Sequence, residues 1–412
     1  MNVTIDAKAP PAAPAPDRDL QSAPLPGSAG QDRPPSRHAG ADALRAVAAM
    51  AVICVHTTHW AQQNTGADRA VWYSTTLLVR FCVPAFVLLT GLVLAYRYGE
   101  QRLGGAFLLR RARRSLVPWL VWAPTFLLFD LFLTGELART PGAVSDWWSL
   151  GGGHLYYLIL VPQLYVLMIV WPRHRRTAAS LALALLAVQV GLDTFRLYAP
   201  LGGNLWHQAV LNHGFEQFPY WIGYFAVGVA AGRFLAARRS LPGRPFAIAV
   251  PLTALLLLWV DRAGMASPRY AEGTGSFLRP LMVPYVLAVC GAVLFGLPAV
   301  LRRLPRLDRT TALVSRHSLG IYVVHPMLLA GFGRTLGFAL HSHLPWSILG
   351  VLALTVLTAV SALLVSMLLA RTPLAVTIGE TWKRRGRRDT PHEPERELRG
   401  APQRRGGVAG RA

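Results

Sequence analysis

The sequence predicts an all-α integral membrane protein, a bundle of about ten transmembrane helices with both termini in the cytoplasm. Its 412 residues are 53% hydrophobic and only 15% charged, which is too apolar for a soluble chain of this length. Ten apolar runs are long enough to cross a hydrocarbon core of about 30 Å as helices. Arginines are concentrated in every second connection between these runs, as the positive-inside rule requires of a multi-pass membrane protein.

The ten predicted spans follow one another between residues 43 and 370. They cover residues 43–61, 75–95, 115–134, 154–171, 177–195, 217–236, 245–261, 281–300, 318–337 and 346–370. Arginine-rich connections follow the second, fourth, sixth and eighth spans, which places these connections and both termini in the cytoplasm. The net charge of +22 is therefore interpreted as topogenic, and no nucleic-acid partner is expected.

The polar ends of the chain define the domain boundaries. Residues 1–40 are rich in Pro, Ala, Ser and Gly and are predicted to form a disordered cytoplasmic tail. Residues 41–371 form the predicted transmembrane domain, and residues 372–412 are a basic, disordered cytoplasmic tail. The three cysteines lie inside apolar runs without paired spacing, so neither a disulfide nor a metal site is expected. The preference for arginine over lysine and the abundant alanine suggest a bacterial plasma-membrane protein.

The first predicted span carries Asp42, Arg45 and His56 among small and apolar residues. Arg45 and His56 are almost three helical turns apart, so their side chains leave the same face, separated by roughly 16 Å along the axis. Ionisable groups at that depth usually face a protein interior or a wet cavity. A neutral imidazole there can act as a general base toward a hydroxyl, and Asp42 can cap the helix or pair with Arg45. On this helix alone, a packing histidine and a topogenic arginine are an equally good interpretation.

Three further segments carry polar groups inside or beside apolar runs. Arginines at 110, 111, 113 and 114 begin the third span; they are either topogenic or a phosphate-binding cluster. His154 opens "HLYYL" in the fourth span, where an aromatic belt is the alternative interpretation. "SLGIYVVHP" places Tyr322 and His325 within one turn, and Pro326 frees backbone carbonyl groups there. The Thr90–Gly91 pair of the second span favours close helix contact.

Together these segments resemble the acyltransferase-3 family of polytopic membrane O-acyltransferases, over roughly residues 40–370. Asp42, Arg45 and His56 match the family's first-span pattern of Leu-Asp-Gly-Leu-Arg, ten residues and His. Residues 110–114 are similar to its Arg-Arg-x-x-Arg run. "HLYYL" is similar to His-Leu-Trp-Phe-Leu, and "SLGIYVVHP" to Ser-x-Gly-Ile-Tyr-x-x-His-Pro. The departures are Ala43 for glycine, Thr90 for serine and Tyr156 for tryptophan.

The resemblance implies transfer of an acyl group, expected to be acetyl, from acyl-CoA to a hydroxyl of a carbohydrate. A cell-surface polysaccharide and a glycosylated small molecule are both open as acceptors, and no permanently bound cofactor is expected. His56 would be the general base and Arg45 the second catalytic residue, with Asp42 supporting them. The remaining candidates are Arg110, Arg111, Arg113 and Arg114 for CoA, and His154, Tyr322 and His325 for the acceptor substrate.

A proton-coupled transporter or flippase for a polar or glycosidic substrate is the competing hypothesis. Intramembrane arginine and histidine also serve proton coupling, and a broken helix can form a transport site. Transporters of this kind are often built from two halves with matching broken spans. No such pairing is visible in this sequence.

Overall fold

Helices make up all the regular structure in the part of the chain that the computed structural model describes. The described residues are 39–64, 69–99, 101–134, 153–172, 174–198, 217–237, 279–336 and 344–380. Within them, every regular element is an α-, 3₁₀- or π-helix. The N-terminal tail as far as residue 38, the predicted seventh span (245–261) and the basic end from residue 381 lie outside the described residues.

The α-helices are numbered here in chain order. They are α1 (Ala39–Asn64), α2 (Arg69–Val79), α3 (Cys82–Tyr98), α4 (Gly105–Thr134), α5 (Tyr156–Val170), α6 (Arg175–Tyr198), α7 (Ile222–Ala237), α8 (Met282–Gly291), α9 (Leu297–Leu301), α10 (Pro305–Arg316), α11 (Ser318–Leu336) and α12 (Leu344–Leu369). The 3₁₀ helices are Gly153–Leu155, Phe218–Tyr220 and Pro373–Ile378, and a π-helix spans Ala292–Gly296.

Six stretches among the described residues are long and apolar enough to cross a membrane. They are Ala39–Ala61, Thr75–Tyr98, Gly153–Val170, Thr177–Phe195, Met282–Leu301 and Ile348–Leu369. Ile222–Ala236 is apolar but shorter, and the predicted third and ninth spans fall within α4 and α11. The chain is therefore an all-helical membrane protein over the described residues.

The second predicted span is interrupted at Arg80 and Phe81, where α2 ends and α3 begins. Pro84 explains the position of this break. It has no N–H for the carbonyl of Arg80, and its ring crowds that carbonyl. Helical bonding resumes with the N–H of Ala85, which donates to the carbonyl of Phe81 at 2.9 Å.

Residues 302–316, predicted as a basic connection, contain the amphipathic helix α10. Its buried residues Thr311, Val314 and Ser315 lie on one face, and the helix packs against α1. Arg306 and Arg309 are exposed. The arginines of this connection are therefore presented by a helix that is anchored to the bundle.

Helix α1 lies inside the bundle. It packs against α2, α3, α10, α11 and α12, and Ala43, Leu44 and Ile53 on it are fully buried. The stripe that carries Arg45 and His56 therefore faces neighbouring helices.

Helices α3 and α7 pack closely through glycines. A Cβ atom on Gly228 would overlap the carbonyl oxygen of Leu88, and one on Gly232 would overlap that of Leu92. Gly91 on α3 contacts the backbone of α7 in the same way. Small residues at such positions let two backbones approach each other, and this approach fixes α3 against the rest of the bundle.

Candidate active site

Three of the predicted site histidines meet, although they come from separate elements. His56 lies on α1, His154 in the 3₁₀ helix before α5, and His325 on α11. The His56 ring centroid is 5.0 Å from that of His325 and 6.3 Å from that of His154, and His154 and His325 are 5.8 Å apart. We call His56, His154 and His325 the histidine cluster.

The orientation of His325 is set by the helix that carries it. Its Nδ1 lies 3.1 Å from the carbonyl oxygen of Ile321 and 2.8 Å from that of Tyr322. Carbonyl oxygens only accept hydrogen bonds, so Nδ1 carries the proton and Nε2 is the acceptor nitrogen. Pro326 has no N–H for the carbonyl of Tyr322, which leaves that oxygen available to His325. The Nε2 atom is buried and has no hydrogen-bond partner among the described residues.

Tyr322 joins the histidine cluster to the neighbouring aromatic side chains. Its hydroxyl donates a hydrogen bond to the backbone carbonyl of His154. Its ring centroid is 5.7 Å from that of His154, 6.3 Å from that of His325 and 6.0 Å from that of Tyr157. All three acceptor-site candidates, His154, Tyr322 and His325, are therefore neighbours in space.

A cavity of about 240 Å³ adjoins this group, and Tyr322 is part of its wall. We call it the donor cavity, after the role that we propose for it. Its lining also includes Arg45, Phe86, Thr90, Arg114, Ser115, Tyr157, Leu158, Val161, Tyr165, Ser318, Leu319 and Gly379. A second cavity of about 130 Å³ shares Arg45 and Tyr157 with it and is also lined by Arg111. Because Arg45 lines both cavities, the two spaces adjoin one another.

Arg45 is held at the cavity wall by two partners. Its Nη1 donates to Asp42 Oδ1 at 3.4 Å and to Ser315 Oγ at 3.3 Å. Ser315 in turn donates to Asp42 Oδ1 at 2.8 Å. Helix α1 begins at Ala39, so Asp42 lies in the first turn, where it pairs with Arg45. Arg45 keeps 31% of its side chain exposed, which leaves it accessible to a ligand.

The four arginines of α4 divide into two pairs. Arg114 lines the first cavity and Arg111 the second, whereas Arg110 and Arg113 line neither of the two. Arg110, Arg113 and Arg114 are all exposed. Arg111 Nη2 also donates to Tyr98 Oη at 3.2 Å, and its guanidinium lies over the Tyr98 ring, 5.8 Å from the centroid. Successive helical residues point about 100° apart, so the run does not present one continuous basic surface to the cavity.

Several side chains of this site were not predicted. The Phe126 ring of α4 lies 4.6 Å from that of His154, and nothing in the local sequence indicates it. Tyr157 and Tyr165 line both cavities. They lie three and eleven residues after His154, which is helical spacing for one face, so the stripe could have been found from the spacing.

Comparison with known proteins gives one match. Residues 38–371 match a family model described as an acyltransferase domain. Searches of curated proteins and of solved structures give no match. The matched range contains the whole histidine cluster and all of the donor-cavity lining except Gly379.

Proposed function

Because the chain belongs to the acyltransferase-3 family and is a membrane acyltransferase, we propose that it moves an acetyl group from acetyl-CoA to a carbohydrate hydroxyl. The acceptor is a cell-surface polysaccharide or a glycosylated metabolite. One observation carries the proposal. The histidine cluster, which contains the proposed base His56, lies beside a cavity whose wall includes Arg45 and Arg114.

The donor is proposed to enter from the end of the bundle that carries the arginines of α4. Guanidinium groups bind phosphate oxygens through paired hydrogen bonds. Arg111 and Arg114 would contact the phosphates at the cavity, and Arg110 and Arg113 would contact them from outside. A cavity of about 240 Å³ is small beside ordinary ligand pockets. It suits the narrow thioester arm, whereas the nucleotide part of the donor stays at the arginines.

The chemical step uses His56 as the general base. Its imidazole takes the proton of the acceptor hydroxyl while the hydroxyl oxygen attacks the thioester carbonyl carbon. Arg45 lies roughly 16 Å from His56 along the helix axis, so its proposed role is to position the donor through its guanidinium group. The tetrahedral intermediate then expels the CoA sulfur, which receives the proton from His56, and the acceptor leaves as its ester.

His325, His154 and Tyr322 are proposed to orient the base and the acceptor. The proton of His325 is committed to backbone carbonyls, so its Nε2 can accept an N–H from the neighbouring imidazole of His56. Such a contact selects one tautomer and one ring orientation of the base. Tyr322 fixes the backbone at His154, which holds the third imidazole toward the acceptor side.

The proposed topology follows from the arginine distribution. Ten spans with both termini in the cytoplasm place the arginines of α4 where acyl-CoA is made, and His154 toward the opposite face of a bacterial plasma membrane. The donor and acceptor would then reach the histidine cluster from opposite sides.

The test is acetyl transfer by membranes that contain the protein, with labelled acetyl-CoA and candidate glycan acceptors. We expect His56→Ala to lower the rate by about 10²- to 10⁴-fold, the usual contribution of a general base, and Arg45→Ala to lower it as well. His59→Ala is the matched control, because His59 lies on the same helix and is exposed.

Two results would count against different parts of the proposal. Full transfer by both His56→Ala and Arg45→Ala would refute the assignment of the site. Failure of the wild type to bind or consume acetyl-CoA would refute the donor and favour the transporter hypothesis.

A further inference from the structure

The chain does not leave the bundle directly after α12. It reverses at Thr372, whose Oγ1 accepts from the N–H of Leu374 at 3.2 Å, and continues as the 3₁₀ helix Pro373–Ile378. It ends in Gly379 with φ of 72°. We call residues 372–380 the C-terminal hook. These residues were predicted to belong to the basic C-terminal tail. The structure instead shows that the hook is folded, and most of its residues are apolar.

The hook is anchored to α4 and to the junction between α10 and α11. Trp122 Nε1 on α4 donates to the carbonyl oxygen of Thr377 at 2.8 Å. Glu380 Oε1 lies 3.0 Å from Nδ1 of His317, the residue between α10 and α11. Ile378 is 1% exposed. An apolar side chain and two polar contacts therefore hold the hook in one place.

Gly379 brings the hook into the wall of the donor cavity. It lines that cavity together with Arg114 and Leu319. A Cβ atom at Gly379 would lie 2.8 Å from the backbone oxygen of Arg114 and 2.5 Å from Leu319 Cδ2. The backbone of the hook thus touches the backbone of α4 at one of the arginines proposed to hold the donor.

We propose that the C-terminal hook is a functional wall of the donor cavity, which positions Arg114 and sets how tightly acyl-CoA binds. This inference rests on the proposed function, since it names the donor. A side chain at Gly379 would push the hook away from α4 or narrow the passage for the thioester arm. Either change acts first on donor binding, because the backbone oxygen of Arg114 cannot rotate away from the new Cβ atom. Leu319, on the helix that also carries His325, meets it only with the end of a flexible side chain. Gly379 and Trp122 are accordingly positioning residues.

The test compares Gly379→Ala with Gly99→Ala in the full-length protein. Gly99 ends α3 with φ of 55°, and a Cβ there would meet nothing within 4 Å. Both variants place a side chain at positive φ, Gly379 in the left-handed helical region (ψ of 11°) and Gly99 outside it (ψ of −119°). The control therefore carries the greater backbone strain, and only Gly379 meets a neighbour. Equilibrium binding of coenzyme A and the KM for acetyl-CoA are measured, with kcat and the KM for the acceptor.

We expect Gly379→Ala to raise the coenzyme A Kd and the acetyl-CoA KM by about tenfold or more, since small displacements of positioning groups have effects of this size. The acceptor KM should be unchanged and kcat much less affected. Gly99→Ala should lose stability through backbone strain but keep the wild-type coenzyme A Kd and acetyl-CoA KM. Equal donor constants for the two variants would overturn the role of the hook and leave the proposed function standing. A wild type that does not bind coenzyme A would overturn both.

If Gly379→Ala fails to fold, Trp122→Phe tests the role of the hook instead. It keeps an aromatic ring but removes the hydrogen bond to Thr377 and part of the indole's packing. Losing one such bond costs about 0.5–1.5 kcal/mol, so we expect a rise of roughly threefold to tenfold in the acetyl-CoA KM. An unchanged acetyl-CoA KM in a folded Trp122→Phe protein would overturn the proposal.

Discussion

Replacing Gly91 by alanine should force α3 and α7 apart. The added Cβ would lie 2.9 Å from the backbone nitrogen of Val229 and closer still to the carbonyl oxygen of Phe225. Ordinary contacts begin near 3.4 Å, and backbone atoms cannot rotate away as a flexible side chain can. Overpacking of this kind costs about 1–3 kcal/mol, while alanine recovers up to about 1 kcal/mol of helix propensity. Because the clash is with backbone atoms, the cost should lie in the upper part of its range, about 2–3 kcal/mol. The net loss is then about 1–2 kcal/mol, or roughly 5- to 30-fold in the folding equilibrium.

The measurement is the free energy of unfolding of purified protein in mixed micelles, with acetyl transfer recorded on the same samples. Gly191→Ala is the matched control, because Gly191 lies inside α6 and a Cβ there would meet nothing within 4 Å. That variant should be neutral or slightly more stable. Transfer should fall in Gly91→Ala, since the adjacent Thr90 lines the donor cavity. Equal stability of the two variants would refute the argument that Gly91 is needed for close helix contact.

Two further substitutions test the site itself. Tyr322→Phe removes the hydroxyl that holds the backbone of His154. The kcat should fall by about tenfold, as expected for a group that orients others. An unchanged kcat would contradict the orienting role. Arg114→Gln should raise the acetyl-CoA KM more than Arg113→Gln, because Arg114 lines the donor cavity and Arg113 does not. Equal KM values for the two arginine variants would mean that the cavity does not receive the donor.

Helical periodicity predicted much of the site. The spacing of Arg45 and His56 places them on one face of α1, and the structure directs that face toward His325 and the cavity wall. Pro326 was expected to free backbone carbonyls, and one of them accepts a hydrogen bond from His325. These predictions needed only contacts within a few turns of one helix, which is the range over which helix geometry is known in advance.

Contacts between distant parts of the chain could not be predicted in this way. Periodicity shows which residues share a face, but not what that face meets. Nothing in the sequence indicated that Phe126 would pack on His154, or that only two of the four arginines on α4 would line the cavities. The hook was not predicted because its seven apolar and small residues are too few for a membrane span and a long basic stretch follows them. The break before α3 was not predicted because the sequence stays apolar on both sides of it, although Pro84 marks its position.

The location of α1 inside the bundle has a consequence for biogenesis. Translation delivers this helix to the membrane before the helices it packs against, and Ser315, which bonds to Arg45, follows 270 residues later. At about 5–20 residues per second, the ribosome needs roughly a quarter of a minute to a minute to supply it. During that interval Arg45 and His56 face lipid, water or the insertion machinery. The polar groups of the candidate site thus make α1 a helix that depends on assistance during synthesis.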